Sequence, residues 1–231
     1  MAEEYESTDR MQLIDTVIRI RAFRGQPVGD LIAEQERLLG ANTDPQMRAM
    51  IPNSSAVQAF ALGRWAEARA DAHRAAEINL AAAAPAMDFA ARQAIWLRDA
   101  PAIRADLAAL DASGINGEAI EAERTTIRAG LAAIEGSPIE ALTLYREALT
   151  AWRDLGLAWD EALAGIAMAT LLDPSDPEVR AAADRSREIL VGLEADPFIE
   201  RLDAAMARSR PDDVSALEIS SPTEAAASWP S

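Results

Sequence analysis

One pattern occurs twice in this chain. The stretch from Gly63 to Ala75 (Gly-Arg-Trp-Ala-Glu-Ala-Arg-Ala-Asp-Ala-His-Arg-Ala) lines up with the stretch from Gly136 to Ala148 (Gly-Ser-Pro-Ile-Glu-Ala-Leu-Thr-Leu-Tyr-Arg-Glu-Ala), about 73 positions on. Glycine, glutamate and two alanines keep their places. Ala105 and Ala112 fill the alanine places of a weaker copy between them, so the pairs recur at steps of about 37 and then 36. A period between about twenty and fifty residues marks stacked supersecondary units, none of which can bury its apolar face alone. This constrains the fold strongly and the function only loosely.

Composition supports helices for those units. Half of the 231 residues are hydrophobic, yet only 5% are aromatic, and about 50 are alanine, the best helix former and a residue that lets helix backbones approach closely. The omissions are equally informative. All 22 basic residues are arginine, and lysine and cysteine are absent. Schiff-base and phosphate-loop lysines, thiolate nucleophiles, disulfides and cysteine-bearing zinc sites are therefore excluded. His73 is the single histidine, which removes multi-histidine metal sites and most hydrolase triads. No cofactor is expected. A net charge of −16 disfavours nucleic acid and anionic lipid and favours a basic or neutral protein partner. The apolar run Ile78-Asn-Leu-Ala-Ala-Ala-Ala-Pro85 is too short to span a bilayer, and the acidic start Met1-Ala-Glu-Glu-Tyr-Glu is unlike a secretory leader. The expected compartment is the cytoplasm.

Helix boundaries can be read from capping signals. Ser137-Pro138-Ile139-Glu140 places a hydroxyl, a proline and a glutamate where a helix start uses them. Thr43-Asp44-Pro45, Asp176-Pro177-Glu178 and Asp196-Pro197-Phe198 repeat an acid-then-proline start, and Asn116-Gly117-Glu118 opens a helix without proline. Gly25, Gly63, Gly136 and Gly156 stand where one helix ends and another begins. Apolar residues recur three and four apart between these marks, as in Leu142, Tyr145, Leu149 and Trp152. Helices are predicted at 9–24, 27–39, 44–62, 64–80, 86–98, 101–112, 117–135, 138–154, 157–172, 176–193 and 196–208, with Pro52 kinking or splitting the third near Asn53-Ser54-Ser55. The expected fold is all-α: five antiparallel helical hairpins and a capping helix over 9–208, stacked as a right-handed superhelix. Residues 1–8 are expected to be frayed and 209–231 to form a disordered tail.

The hairpins resemble tetratricopeptide repeats. That family places a glycine before the second helix, a small residue five positions on, an aromatic four further and an alanine three further. Gly136, Ala141, Tyr145 and Ala148 match all four, while Gly63, Ala68 and Ala75 match three, with Ala72 in the aromatic place. The phrases Leu144-Tyr-Arg-Glu-Ala-Leu-Thr-Ala-Trp152 and Leu171-Leu-Asp-Pro-Ser-Asp-Pro-Glu-Val-Arg180 are similar to the C-terminal repeat arm of large bacterial signal-transducing ATPases and nucleotide cyclases. So is Gly192-Leu-Glu-Ala-Asp-Pro-Phe-Ile-Glu-Arg-Leu202. The resemblance implies a non-catalytic scaffold or regulatory arm in bacterial signalling or transcription control, holding a partner on the concave face lined by the first helix of each hairpin. The alternative is a small-molecule sensor arm working with a separate ATPase or cyclase chain.

Candidate site residues follow from aromatic and charged clusters. Trp96, Arg128, Trp152 and Trp159 are candidates for a partner groove, although packing between repeats is the stronger reading for the tryptophans, Trp65 included. Asp160, Glu161, Asp173, Asp176 and Glu178 do not have calcium-loop spacing, and helix capping accounts for Asp176 and Glu178. His73 aligns with Arg146 and is expected to face solvent. Glu118, Glu121 and Glu123 could be imagined as catalytic carboxylates, but they occupy the first turns of one helix, where acids favour the dipole, and no partner base can be identified. Arg64, Arg69 and Arg74 could clamp a partner carboxylate, or pair locally with Glu67, Asp71 and Glu77.

Overall fold

The computed structural model describes residues 2–79 and 83–208, so the tail expected at 209–231 lies outside the described residues. Eleven helices and no strand are present among the described residues: α1 (Ala2–Phe23), α2 (Gly29–Leu39), α3 (Pro45–Ala61), α4 (Trp65–Ile78), α5 (Ala83–Trp96), α6 (Ala100–Ala112), α7 (Glu118–Ile134), α8 (Pro138–Asp154), α9 (Ala158–Leu171), α10 (Pro177–Gly192) and α11 (Asp196–Met206). Each answers to one predicted helix. The largest boundary difference is at the start: α1 begins at Ala2, inside the stretch expected to be frayed.

Capping chemistry explains most of the boundaries. The Asp44 carboxylate accepts from the Gln46 N–H at 2.8 Å, and Asp176 accepts from Glu178 N–H at 2.7 Å and more weakly from Val179 N–H at 3.4 Å. Asp99 accepts from Ala102 N–H at 3.0 Å. Two expected caps differ. Ser137 is the N-cap of α8, but its hydroxyl makes no capping bond. Ala195 rather than Asp196 caps α11, which places Asp196 in the first turn, where its charge still meets the positive end of the helix dipole. Gly63 and Gly136 have φ of +74° and +81°, in the left-handed region that a side chain disfavours, so the two matching turns need glycine.

Pro52 does not split its helix. α3 runs through it unbroken, with Pro52 itself buried. The proline lacks the N–H that would bond to the Arg48 carbonyl, and packing on both sides, by α1 and by α4, holds the helix together despite the loss.

Helices pack chiefly on their chain neighbours, and contacts also link α1 with α3, α5 with α7, α7 with α9 and α9 with α11. The matching alanines sit alike, with Ala68, Ala75, Ala141 and Ala148 all buried. One large core runs from Ala59 to Ala205, and a smaller one gathers Ile14, Ile18, Ala22, Val28, Val57 and Ala61. The first and last described helices meet. Phe23 of α1 stacks on Trp159 of α9 with centroids 4.3 Å apart, and Phe198 of α11 lies edge-on to both, 5.6 Å from Phe23 and 4.8 Å from Trp159. Phe60 of α3 touches Phe198 at 5.2 Å and Phe89 of α5 at 5.3 Å. Rings from α1, α3, α5, α9 and α11 therefore share one aromatic cluster.

α9 and α10 approach unusually closely at Gly165. A Cβ there would overlap the Ser186 hydroxyl and stand 3.1 Å from the Ala182 carbonyl oxygen. The Ser186 hydroxyl is held by a 2.8 Å bond to that same carbonyl, so it cannot swing aside without losing it. Gly165→Ala is expected to destabilise the fold by about 1–3 kcal/mol, measured by urea denaturation, and Gly165→Ala combined with Ser186→Ala should regain part of the loss. A neutral single substitution would contradict the close approach.

Candidate functional site

The most concentrated buried chemistry lies between α5, α7, α8 and α9. Along α7 the buried positions include Ala122, Glu123, Thr126, Ile127 and Gly130, one face at helical spacing. Glu123 is only 1% exposed, and it stands beyond the first turn of α7, whose acids are Glu118 and Glu121. Arg92 of α5 reaches both of its oxygens, Nε to Oε1 at 2.8 Å and Nη2 to Oε2. The same Nη2 donates to Asp160 of α9 at 2.8 Å. The Arg92 guanidinium lies 5.8 Å from the Trp152 ring centroid, and the Trp152 indole donates to the Thr126 hydroxyl at 3.0 Å. Beside them Tyr145 is fully buried, and its hydroxyl has no hydrogen-bond partner among the described residues. Burial, and then the charge of Glu123, pushes the Tyr145 pKa far up, so the phenol stays protonated. With both oxygens of Glu123 engaged by one guanidinium fork, this cluster acts as a bracket joining four helices.

The candidate groove residues separate. Trp152 is a core side chain, 3% exposed. Trp159 is half-buried in the aromatic cluster, and Trp96 stacks on Trp65 with centroids 4.9 Å apart. Arg128 stands exposed on α7. The indoles of Trp96, Trp152 and Trp159 pack against the large core.

The acids near α9 and α10 have definite partners. Glu161, 2% exposed, accepts from Arg153 Nη2 at 2.8 Å and faces Arg185 Nε at 3.6 Å. Asp173 accepts from the Ser175 N–H at 2.8 Å, Asp176 caps α10, and Glu178 takes both nitrogens of Arg146 at 2.9 Å. Among the described residues no three or more such groups are placed to hold a metal ion, and no helix is long and apolar enough to cross a membrane.

His73 departs from its expected solvent position. It is half-buried, with Nε2 3.2 Å from Asp106 Oδ1 but not aligned for a hydrogen bond. Arg69, one turn earlier on α4, grips Asp106 with two bonds of 3.0 Å. Arg69 thus pairs across to α6, whereas Arg64 and Arg74 pair locally with Glu67 at 2.9 Å and Asp71 at 3.0 Å. Burial holds the Asp106 carboxyl above its ordinary range against the pull of Arg69. The alignment of His73 with Arg146 carries an equivalence: His73 meets an acid on α6, and Arg146 meets Glu178 on α10. In both cases a helix reaches a carboxylate of the next helix but one, α4 that of α6 and α8 that of α10. Spacing that repeats at about 36 residues could have suggested this bridge.

Two surface features stand apart from these clusters. Ile139, at the start of α8, is 84% exposed. It lies on the walls of two adjoining cavities of ≈590 Å³ and ≈520 Å³, whose apolar lining includes Leu142, Leu144, Leu171 and Leu172 and whose acids are Glu140, Asp173 and Asp176. A third cavity, of ≈700 Å³, opens where α1, α2, α3 and α11 converge, with Arg201 on its wall. Sequence reasoning placed Ile139 only as a residue of the helix start, and the apolar residue among polar first-turn neighbours was the available signal. Compared with family models, curated proteins and solved structures, the chain matches none.

Proposed function

We propose that this chain is a non-catalytic, tetratricopeptide-like interaction module of bacterial signalling or transcription control, built as a superhelix of hairpins, that docks another protein on its outer face around Ile139. The observation that carries the reading is that isoleucine, 84% exposed between two cavities. Large apolar side chains presented in this way are the anchors of interfaces. The first helices of the hairpins are covered by one another through Phe23, Phe60, Phe89, Trp159 and Phe198, which favours the outside of the molecule over a concave groove. Glu140, Asp173 and Asp176 rim the apolar lining, so the partner is basic or neutral, as the net charge also argues. The test is affinity capture with wild type and Ile139→Asp side by side. Because the residue is exposed, folding should change by no more than about 0.5 kcal/mol. A partner held by the wild type, lost by Ile139→Asp and weakened by added salt supports the reading. Identical recovery by both proteins would sink it.

A second reading, a small-molecule sensor arm acting with a separate ATPase or cyclase chain, is favoured by the ≈700 Å³ cavity, a volume within the ordinary range for ligand sites.

A further inference from the structure

α1 is apolar on two sides. Met11, Ile14, Ile18 and Ala22 are buried, the last three in one core with Val57 and Ala61 of α3. On the opposite side of the helix Leu13 is 65% and Ile20 51% exposed, and their spacing of seven residues puts them on one line. A helix that is apolar on both sides is one that is covered on both sides. Asp9 extends the exposed line one turn before Leu13, and Arg24 extends it one turn after Ile20. The Arg24 N–H still bonds to the Ile20 carbonyl at 3.2 Å, which keeps Arg24 in the helical path. Asp9 is exposed and unpaired among the described residues. Arg24 meets Glu194 at 3.0 Å in a contact open to solvent, so its guanidinium can take a second acid. Along the line the order is acid, apolar, apolar, cation, at steps of four, seven and four residues. Those steps read the same from either end. A second α1 laid antiparallel on the first therefore sets Leu13 against Ile20 and Asp9 against Arg24, each twice, about an axis between Thr16 and Val17. Neither residue at the axis has a long side chain to hold the helices apart. The stripe is complementary to itself, which a twofold interface requires.

We infer that this face of α1 docks a second copy of the chain, the two helices antiparallel, with Leu13 and Ile20 as the apolar anchors and Asp9 and Arg24 fixing the register. The inference is independent of the Ile139 face and of both readings above. The net charge of −16 repels two copies at a distance, but salt screens that repulsion beyond about 10 Å at 0.1 M. The face itself is not acidic: between positions 9 and 24 four arginines stand against two aspartates. One helix over about four turns makes a contact at the small end of stable interfaces, so the dimer is expected to dissociate with a constant of about 1–100 µM.

Sedimentation equilibrium of the full chain across that concentration range should show monomer and dimer in exchange. Leu13→Glu and Ile20→Glu, at exposed positions, should each weaken the dimer at least about tenfold, because a charge replaces a central apolar anchor. Neither should shift the urea unfolding midpoint measured on the dilute monomer. Asp9→Arg and Arg24→Asp should each dimerise more weakly than the wild type, since like charges then face one another at both ends of the stripe. Mixed in equal amounts, these two variants should pair more tightly than either does alone, because each supplies the charge that the other lacks. A parallel pair would give no such rescue. A monomer at every concentration, or a dimer untouched by Leu13→Glu, would overturn the inference. So would a mixture of the two charge variants that associates no more tightly than its components.

Discussion

Phe198→Ala should lower the stability of the fold by about 3–5 kcal/mol, the usual loss when a buried aromatic is truncated in a core that cannot collapse around the hole. Phe198 is fully buried and touches rings from three other helices, Phe23 on α1, Phe60 on α3 and Trp159 on α9. These partners also pack on one another, so no one of them can move in to fill the space without leaving another contact. The effect should also be uneven along the chain. α1 meets α11 directly, so amide hydrogen exchange in α1 should accelerate more than in α7, whose own neighbours are α5, α6, α8 and α9. Uniform acceleration, or a loss below about 1 kcal/mol, would show that the two ends of the fold are not joined through this residue.

Glu123→Gln is expected to cost about 3 kcal/mol, because it removes the charge that answers a buried guanidinium. Arg92, 8% exposed, would keep its contact with Asp160, whose side chain is 27% exposed and so better solvated than Glu123. The glutamine amide can accept on one atom only, so the two-pronged geometry is lost along with the charge. Urea denaturation checks the loss. The double variant Arg92→Met with Glu123→Leu separates the two causes. Replacing a buried pair by apolar groups of similar size is often neutral or stabilising, so the double variant should be markedly more stable than Glu123→Gln. If it is worse than the single, the pair does more than satisfy itself, and Glu123 would have to be reconsidered as a functional carboxylate.

The helices and the buried bracket differ in how far they could be read from the chain. Asp44 and Asp176 cap helices as their residue types require, because a cap is a bond across two or three residues. Gly63 and Gly136 mark turns for the same local reason. Pro52 misleads, since the penalty for a proline inside a helix is local while the packing that overcomes it comes from α1 and α4. Glu123 misleads in the opposite sense. Its place in the first turns suggests a solvated acid, yet it stands four residues before Ile127 and seven before Gly130, on the buried stripe of α7. The partner that permits a charge on that stripe is not local to it. Arg92 is 31 residues away, on another hairpin. Trp152 and Trp159 could be expected to pack, but not on what: one bonds Thr126, and the other stacks on Phe23.

By itself the sequence determined eleven helices, the turns between them and the similar burial of Ala68 and Ala141, because spacing, capping and glycine act within one or two helical turns. Tertiary structure alone decided that α1 meets α11, that Arg201 reaches the carbonyl of Phe60 across 141 residues, and that a cavity opens where they meet. The reason is cumulative geometry. The angle at which each helix settles on the next depends on side-chain shape at every interface, and small angles summed over successive helices determine whether α1 and α11 diverge or touch.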